Sequence, residues 1–308
     1  MKHLVFDIET GCEPDDILET LFTFDESTVK NYRLLTAEFD PSNVKVGNMK
    51  DPAKITAKVE AAREKFEADK SSVSENIESA RAEAWQTFRD RAALSPLTGR
   101  VLAIGWWNPD ESESSVAYVL EGKESVSEKE IIEQFLSLAD AVLSDSGSLV
   151  GHNIIGFDLP FLLRRGLKHG IRPPKTITNA LAQYRPNNLI DTMREWQFGN
   201  RAEGFAKLDQ LAAFFGTRRK TGDGADFHKK FFGTPEKRIE ALEYLHNDVV
   251  MTAGVAVKMR LIANPLKQAA AQSESQPEPP QSEPPNQDEP QQAQDTAPTA
   301  AKQDDDIY

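Results

Sequence analysis

The sequence predicts an α/β fold of five strands with flanking helices. Three observations carry that prediction. The N-terminus reads as a strand that ends in paired acids, residues 100–120 read as a hairpin, and short apolar runs alternate with amphipathic segments from residue 127 to about 262. A chain of 308 residues with 39% apolar content can bury the core of one large domain and carry an accessory piece.

The first strand is Leu4-Val5-Phe6-Asp7-Ile8-Glu9-Thr10. Side chains of a strand alternate between faces, so Leu4, Phe6 and Ile8 point one way and Val5, Asp7 and Glu9 the other. Residues 11–48 mix Phe, Asp and Pro and read as loop and short helices. From Asp51-Pro52 to about Ala93 the chain is rich in Ala, Glu, Lys and Arg and free of Gly and Pro, which predicts helix. Ser71-Ser72 is the expected break, making a helical pair that either clamps substrate or stands as a solvated insertion.

Strands are predicted at Arg100–Trp107 and Ser115–Leu120, joined by the turn Asn108-Pro109-Asp110. Ser127 with Glu130 three residues on predicts a capped helix through Val142. A fourth strand at Ser148–His152, a helix from about Leu159 to Lys168 and a short fifth strand at Leu189–Thr192 follow. Lys207–Phe215 is a helix ended by Gly216, and Pro235 opens the last long helix, with Ile239, Leu242, Val249 and Ala253 as its core stripe. Residues 268–308 hold seven prolines among Gln, Ser, Glu and Ala and bury too little apolar area to order themselves.

A single cysteine, Cys12, excludes a disulfide framework and a cysteine-based zinc site and fits a reducing cytoplasm. No signal peptide and no membrane-length apolar run is read. The net charge of −13 is uneven: from Gln268 onward nine acids and one lysine carry −8, which leaves −5 for the rest. A local basic groove is compatible with that balance.

Asp7 and Glu9 on one strand face repel each other and are costly to desolvate together, a penalty that a cation removes. Hard oxygen ligands suit Mg²⁺ or Mn²⁺; the alternative is a strand end with two solvated acids. Asp158 lies after a strand at the start of a helix, in Gly151-His152-Asn153-Ile154-Ile155-Gly156-Phe157-Asp158, and alone would read as an N-cap. Tyr244 and Asp248, at i and i+4, share a helix face.

In order and spacing these segments resemble the DEDD superfamily of 3′–5′ exonucleases, the DnaQ-like proteins. Phe6-Asp7-Ile8-Glu9-Thr10 matches the first motif, Asn153-x-x-x-Phe157-Asp158 the second in the form found in family B polymerase proofreading domains, and Tyr244-x-x-x-Asp248 the third in its tyrosine form. Glu243 stands where the histidine form would place His, so the likeness is to the tyrosine branch. It covers residues 1–12 and about 97–262.

The resemblance implies a ribonuclease H-like fold: a mixed five-stranded sheet flanked by helices, here with a helical insertion at about 13–96. The domain would span 1–266, with a disordered acidic tail at 267–308. It implies catalysis by Asp7, Glu9, Asp158, Tyr244 and Asp248, with Asp7, Glu9, Asp158 and Asp248 holding two Mg²⁺ or Mn²⁺ ions for hydrolysis of a phosphodiester at a DNA 3′ end, single-stranded by preference, in replication or repair. Tyr244 would orient the attacking water, since a tyrosine is a poor base at neutral pH.

Candidate nucleic-acid contacts are Thr10, Asn153, Phe157, Arg164, Arg165, Arg218, Arg219 and Lys220, with Lys168, Lys229 and Lys230 as further cations and Leu159 beside Phe157 as a stacking wedge; each has a plain structural reading as surface charge or core packing. Asp191 before Thr192 reads as a helix cap near the site. The tip Asp304-Asp305-Asp306-Ile307-Tyr308 partly resembles the acidic tips of single-stranded-DNA-binding proteins, which implies docking to a replication or repair partner or repulsion of nonspecific DNA. RNA ends instead of DNA, or an inactive binding module on the same fold, are the other readings.

Overall fold

The structure, a computed structural model, describes residues 3–107, 115–120, 125–183, 188–200, 204–220, 222 and 224–263. One sheet is built from β1 (His3–Cys12), β2 (Gly99–Trp107), β3 (Ser115–Tyr118), β4 (Ser148–Gly151) and β5 (Leu189–Asp191), in the spatial order β3-β2-β1-β4-β5. β2 pairs antiparallel with both β1 and β3, while β4 and β5 add in parallel beyond β1. The sheet is mixed, and the fold is the expected ribonuclease H-like one. The turn at 108–110 and the tail from 267 lie outside the described residues.

The pleat divides β1 as its sequence dictates. Leu4, Phe6 and Ile8 enter one core with α3 (Glu128–Ser144) and α4 (Asp158–Lys168). Val5 enters the opposite core, against α9 (Pro235–Lys258). Gly105, the β2 partner of Asp7, lets α9 lie close: a Cβ added there would stand 2.9 Å from Leu245 Cγ and 3.1 Å from Val249 Cγ2.

Helix ends follow local chemistry. Ser127 and Glu130 close a capping box on α3. Thr234 accepts from the Lys237 N–H at the start of α9, with Pro235 in its first turn. Gly216, at φ +62°, ends α7 (Leu208–Phe215). Three helices were not legible: α5 (Lys175–Ala182), α6 (Thr192–Trp196) and α8 (Phe227–Phe231). At five to eight residues each is too short for apolar periodicity to show.

The insertion holds α1 (Asp15–Leu21), three 3₁₀ turns at Glu26–Thr28, Tyr32–Leu35 and Pro41–Asn43, and α2 (Pro52–Ala92). The expected break at Ser71-Ser72 is absent: α2 is one helix of 41 residues, roughly 60 Å long at 1.5 Å per residue. Serine inside a helix costs only about half a kcal/mol relative to alanine. Burial of Val73 and Ile77 holds the helix through that point. Phe39 packs on Phe66 at 5.7 Å, and Phe22 on Trp85 and Phe88 at 5.2 and 5.5 Å.

The last helix meets its expected core stripe except at Ile239: Val249 and Ala253 are buried and Leu242 is half-buried against the same core. Ile239 is 56% exposed, and the buried face runs through Ala241, Leu245, Asp248 and Thr252. Ile239 lies two positions from Ala241, roughly 200° around the helix. Among the described residues no helix is long and apolar enough to cross a membrane.

Candidate active site

Three carboxylates from two elements meet on the α9 side of the sheet. Asp7 and Glu9 come from β1 and Asp248 from α9, and each offers an oxygen within 4.8 Å of the others. β1 shifts register against β2 between Glu9 and Thr10. Such a bulge re-aims side chains at the point where it occurs. A cleft of about 1390 Å³ opens over the acids, lined also by Thr10, Asn153, Phe157, Lys220, Tyr244 and the segment from Phe205 to Asp209.

The electrostatics are those of an anion cluster short of positive charge. Desolvation and then the Asp248 charge push the Asp7 carboxyl up to about 7, against a partial pull from Lys220. Glu9 is pushed well above the ordinary glutamate range by desolvation, Asp7 and Asp248. Burial also raises Asp248, against the opposing pull of the Lys220 ammonium and the Tyr244 hydroxyl. Lys220 Nζ is 3.6 Å from Asp248 Oδ2. Asp248 Oδ1 is buried and has no hydrogen-bond partner among the described residues.

Asp158 stands outside this trio. It is buried at the N-terminus of α4, 3% exposed, and does not line the cleft. Desolvation and the Asp7 charge raise its carboxyl well above the usual range, which marks it as Asp7's electrostatic neighbour. The loop before it is held by Asp191, whose carboxylate accepts from Asn153 N at 2.8 Å and Ile155 N at 3.1 Å and caps α6 through Met193 N at 3.1 Å. The cap reading of Asp191 is met, with a second role that bridges two loops. Asn153 takes the left-handed conformation, φ +67°, that this loop requires.

The trio fits a hard divalent cation: its donors are oxygen, its charges repel, and one buried oxygen is unsatisfied. Asp7, Glu9 and Asp248 are the residues that would hold it.

Among the expected nucleic-acid contacts, Thr10, Asn153, Phe157, Lys220 and Lys229 line the cleft. Thr10 Oγ1 donates to the Ala93 carbonyl at 2.8 Å. Phe157 is half-buried and packs on Phe161 at 5.4 Å. Arg164 and Arg218 are exposed and outside the cleft lining. Arg219 forks onto Asp209, with Nε donating at 2.7 Å. Leu159, the expected wedge, is fully buried in the core.

Arg165 is a correction. It is 1% exposed, and its guanidinium donates to Glu128 Oε1 at 2.8 Å, to Glu128 Oε2 at 2.6 Å, to Glu13 Oε1 at 2.7 Å and to the Pro96 carbonyl at 3.2 Å. Buried charge demands such partners, so this arginine cannot meet a phosphate. Lys168 shares Glu13 with it. The network ties Glu13 and Pro96, at the two ends of the insertion, to the helix that begins with Asp158.

The cleft also takes in residues that sequence reasoning missed. Gln86, Arg89, Asp90, Ala93 and Leu94 come from the end of α2 and the turn after it; Phe205, Lys207 and His228 come from the chain around α7 and α8. Arg89 stands 80 residues from Glu9 in the chain, and nothing in its local pattern points to the acids.

A family profile described as "Predicted 3'-5' exonuclease related to the exonuclease domain of PolB" matches residues 94–278. The solved structure of the family B DNA polymerase from the hyperthermophilic archaeon Pyrobaculum calidifontis is similar over 56% of this chain and 23% of that one, at 22% identity and a TM-score of 0.42. The chain thus spans about a quarter of that polymerase's length. No curated protein matches the sequence.

Proposed function

Because the chain belongs to the family of predicted 3′–5′ exonucleases related to the exonuclease domain of PolB, we propose that it hydrolyses phosphodiesters at the 3′ ends of single-stranded DNA with the help of two divalent cations, Mg²⁺ or Mn²⁺. The observation that carries this reading is the convergence of Asp7, Glu9 and Asp248 within 4.8 Å beneath an open cleft.

Asp7, Glu9 and Asp248 would hold one cation, and Asp158, next to Asp7 in charge, would join Asp7 in holding the second. Bound cations of this kind make water more acidic and neutralise the charge that develops on the phosphate and leaving oxygens. The carboxylates must be ionised to hold the cations, since bare carboxylates would repel the phosphate backbone. Tyr244 acts as a proton donor that orients water: desolvation and the Asp248 charge push its hydroxyl further above its ordinary value, so it stays protonated. Lys220, beside Asp248, supplies a positive charge for a phosphate oxygen. Phe157 and Phe205 line the same cleft and offer ring faces on which unpaired bases stack.

The wider setting is part of the proposal. Residues 1–266 would act as the exonuclease domain in the cytoplasm, in replication or repair, a role supported by the family's relation to a polymerase domain. The tip Asp304–Tyr308 would dock a replication or repair protein, a reading supported by its acidic run closed by two apolar residues.

The test is digestion of 5′-labelled single-stranded DNA, duplex DNA and matched RNA with Mg²⁺ or Mn²⁺. A ladder that shortens from the 3′ end of DNA, and that EDTA and Asp7→Ala both abolish, is the expected result. Equal or faster cutting of RNA would make the chain an exoribonuclease, and no ladder on any substrate would leave it a binding module.

A further inference from the structure

The insertion carries charge into the cleft that the acids do not explain. Arg89, in the last turn of α2, lines the cleft together with His228 and Lys229 of α8. Burial, then the Arg100 and Arg89 charges, hold the His228 ring below the ordinary imidazole value. That ring rests on the strand that bears the acids: a Cβ on Gly11 would stand 2.5 Å from His228 Nδ1, and Nε2 is 3.8 Å from Cys12 Sγ. The Nδ1 atom is buried with no hydrogen-bond partner among the described residues. Gly11 follows Glu9 by two residues, about 7 Å along a strand at ~3.4 Å per residue. The cleft is therefore polarised, with carboxylates along one part of β1 and cations with a donor ring beside the next.

We propose that Arg89, His228 and Lys229 form a phosphate subsite that holds the nucleotide strand upstream of its 3′ end, so that the insertion is the second wall of the substrate cleft. This subsite rests on the exonuclease reading of the neighbouring acids. An extended strand whose terminal phosphodiester lies at the acids carries its next phosphates along β1, where a polyanion needs cations and finds the Arg89 fork and the Lys229 ammonium, with the His228 ring packed on the strand beside them. Leu94, 66% exposed in the same lining, offers an apolar surface to an unpaired base. The bland role for Arg89 is its bridge to Asp15, Nε to Oδ1 at 2.9 Å, which steadies α2 against α1.

Binding separates the two roles. Anisotropy of a dye-labelled ten-nucleotide DNA is titrated in EDTA, where no turnover is expected, at a series of salt concentrations. Each cation that neutralises a phosphate of a single strand contributes about 0.7 to the slope of log K against log salt. Arg89→Ala is expected to weaken binding tenfold or more at low salt and to lower the slope by ~0.7. Arg89→Lys, which keeps the charge, and Asp15→Asn, which removes only the bridge, keep the slope. An unchanged slope in Arg89→Ala, or an equal drop in Asp15→Asn, overturns the subsite. Wild-type chain that binds with the expected slope but cuts nothing with Mg²⁺ or Mn²⁺ would sink the exonuclease reading alone. Wild-type chain that cuts short DNA while Arg89→Ala leaves the slope unchanged would sink the subsite alone, and a chain that neither binds nor cuts sinks both.

Discussion

Gly105 on β2 and Leu245 on α9 are in contact so close that a single added methyl would meet the leucine at 2.9 Å. That contact sets the distance between the strand that carries Asp7 and the helix that carries Asp248. Gly105→Ala is expected to cost about 1–3 kcal/mol, as overpacking of a filled core does. It is also expected to lower exonuclease activity more than that stability loss accounts for, since it moves one carboxylate relative to the others. Urea unfolding alongside single-turnover rates on labelled DNA checks both parts.

Tyr244 stands one helical turn before Asp248 on α9 and lines the cleft with it. Tyr244→Phe keeps the ring among its neighbours and removes only the hydroxyl. The expected outcome is a fall in kcat of about 10- to 100-fold, the scale of a lost orienting contact, with KM little changed and unfolding within ~1 kcal/mol of the wild type. A large rise in KM instead would assign the hydroxyl to substrate binding.

Arg165 joins Glu13, Glu128 and the Pro96 carbonyl in a buried network. Arg165→Ala leaves two buried carboxylates short of a partner and is expected to cost about 3–5 kcal/mol. Burial pushes Glu13 and Glu128 up, but bonds from Lys168 and Arg165 to the first, and from Arg165 and His169 to the second, outweigh it and hold both below the ordinary glutamate value of 4.5. Depressed carboxyls stabilise the fold above their unfolded value, so this contribution is present above pH 4.5 and lost as pH falls below it. Urea midpoints at pH 3.5 and 6 are expected to differ more for the wild type than for Arg165→Ala.

The acid trio has the opposite sign. The Asp7 carboxyl is raised from 3.8 to about 7, so the metal-free fold is favoured while it is protonated and loses stability as pH rises from about 4 through 7. Asp7→Asn is expected to flatten that fall and to raise the melting temperature in EDTA at pH 8. Thermal unfolding in EDTA across pH 5–8 shows it directly; an Asn variant less stable than wild type at pH 8 would contradict it.

Much of this architecture was legible because its signals are local. Alternation in β1, the Ser127–Glu130 box and Gly216 each act within a few residues, and each predicted its element. The acids were legible as spaced motifs, and the structure brings Asp7, Glu9 and Asp248 together. The misses concern partners far apart in the chain. Arg165 looked like a surface cation because its partners, Glu13 and Glu128, lie 152 and 37 residues away. Arg89 drew no reading of its own for the same reason, and α2 looked divided because two serines resemble a break until buried Val73 is seen beside them. Tertiary contacts decide these cases, and sequence pattern holds no record of them.

Asp7, Glu9 and Asp248 are proposed to form a seat for divalent cations. Titration of the metal-free chain with Mn²⁺, followed by calorimetry or by loss of the free-ion electron paramagnetic resonance signal, tests it most directly. The expected result is saturable binding that Asp7→Asn and Asp248→Asn each weaken at least tenfold and that Arg164→Ala leaves intact. No uptake by the wild-type chain at millimolar Mn²⁺, or equal uptake by the two Asn variants, would contradict it.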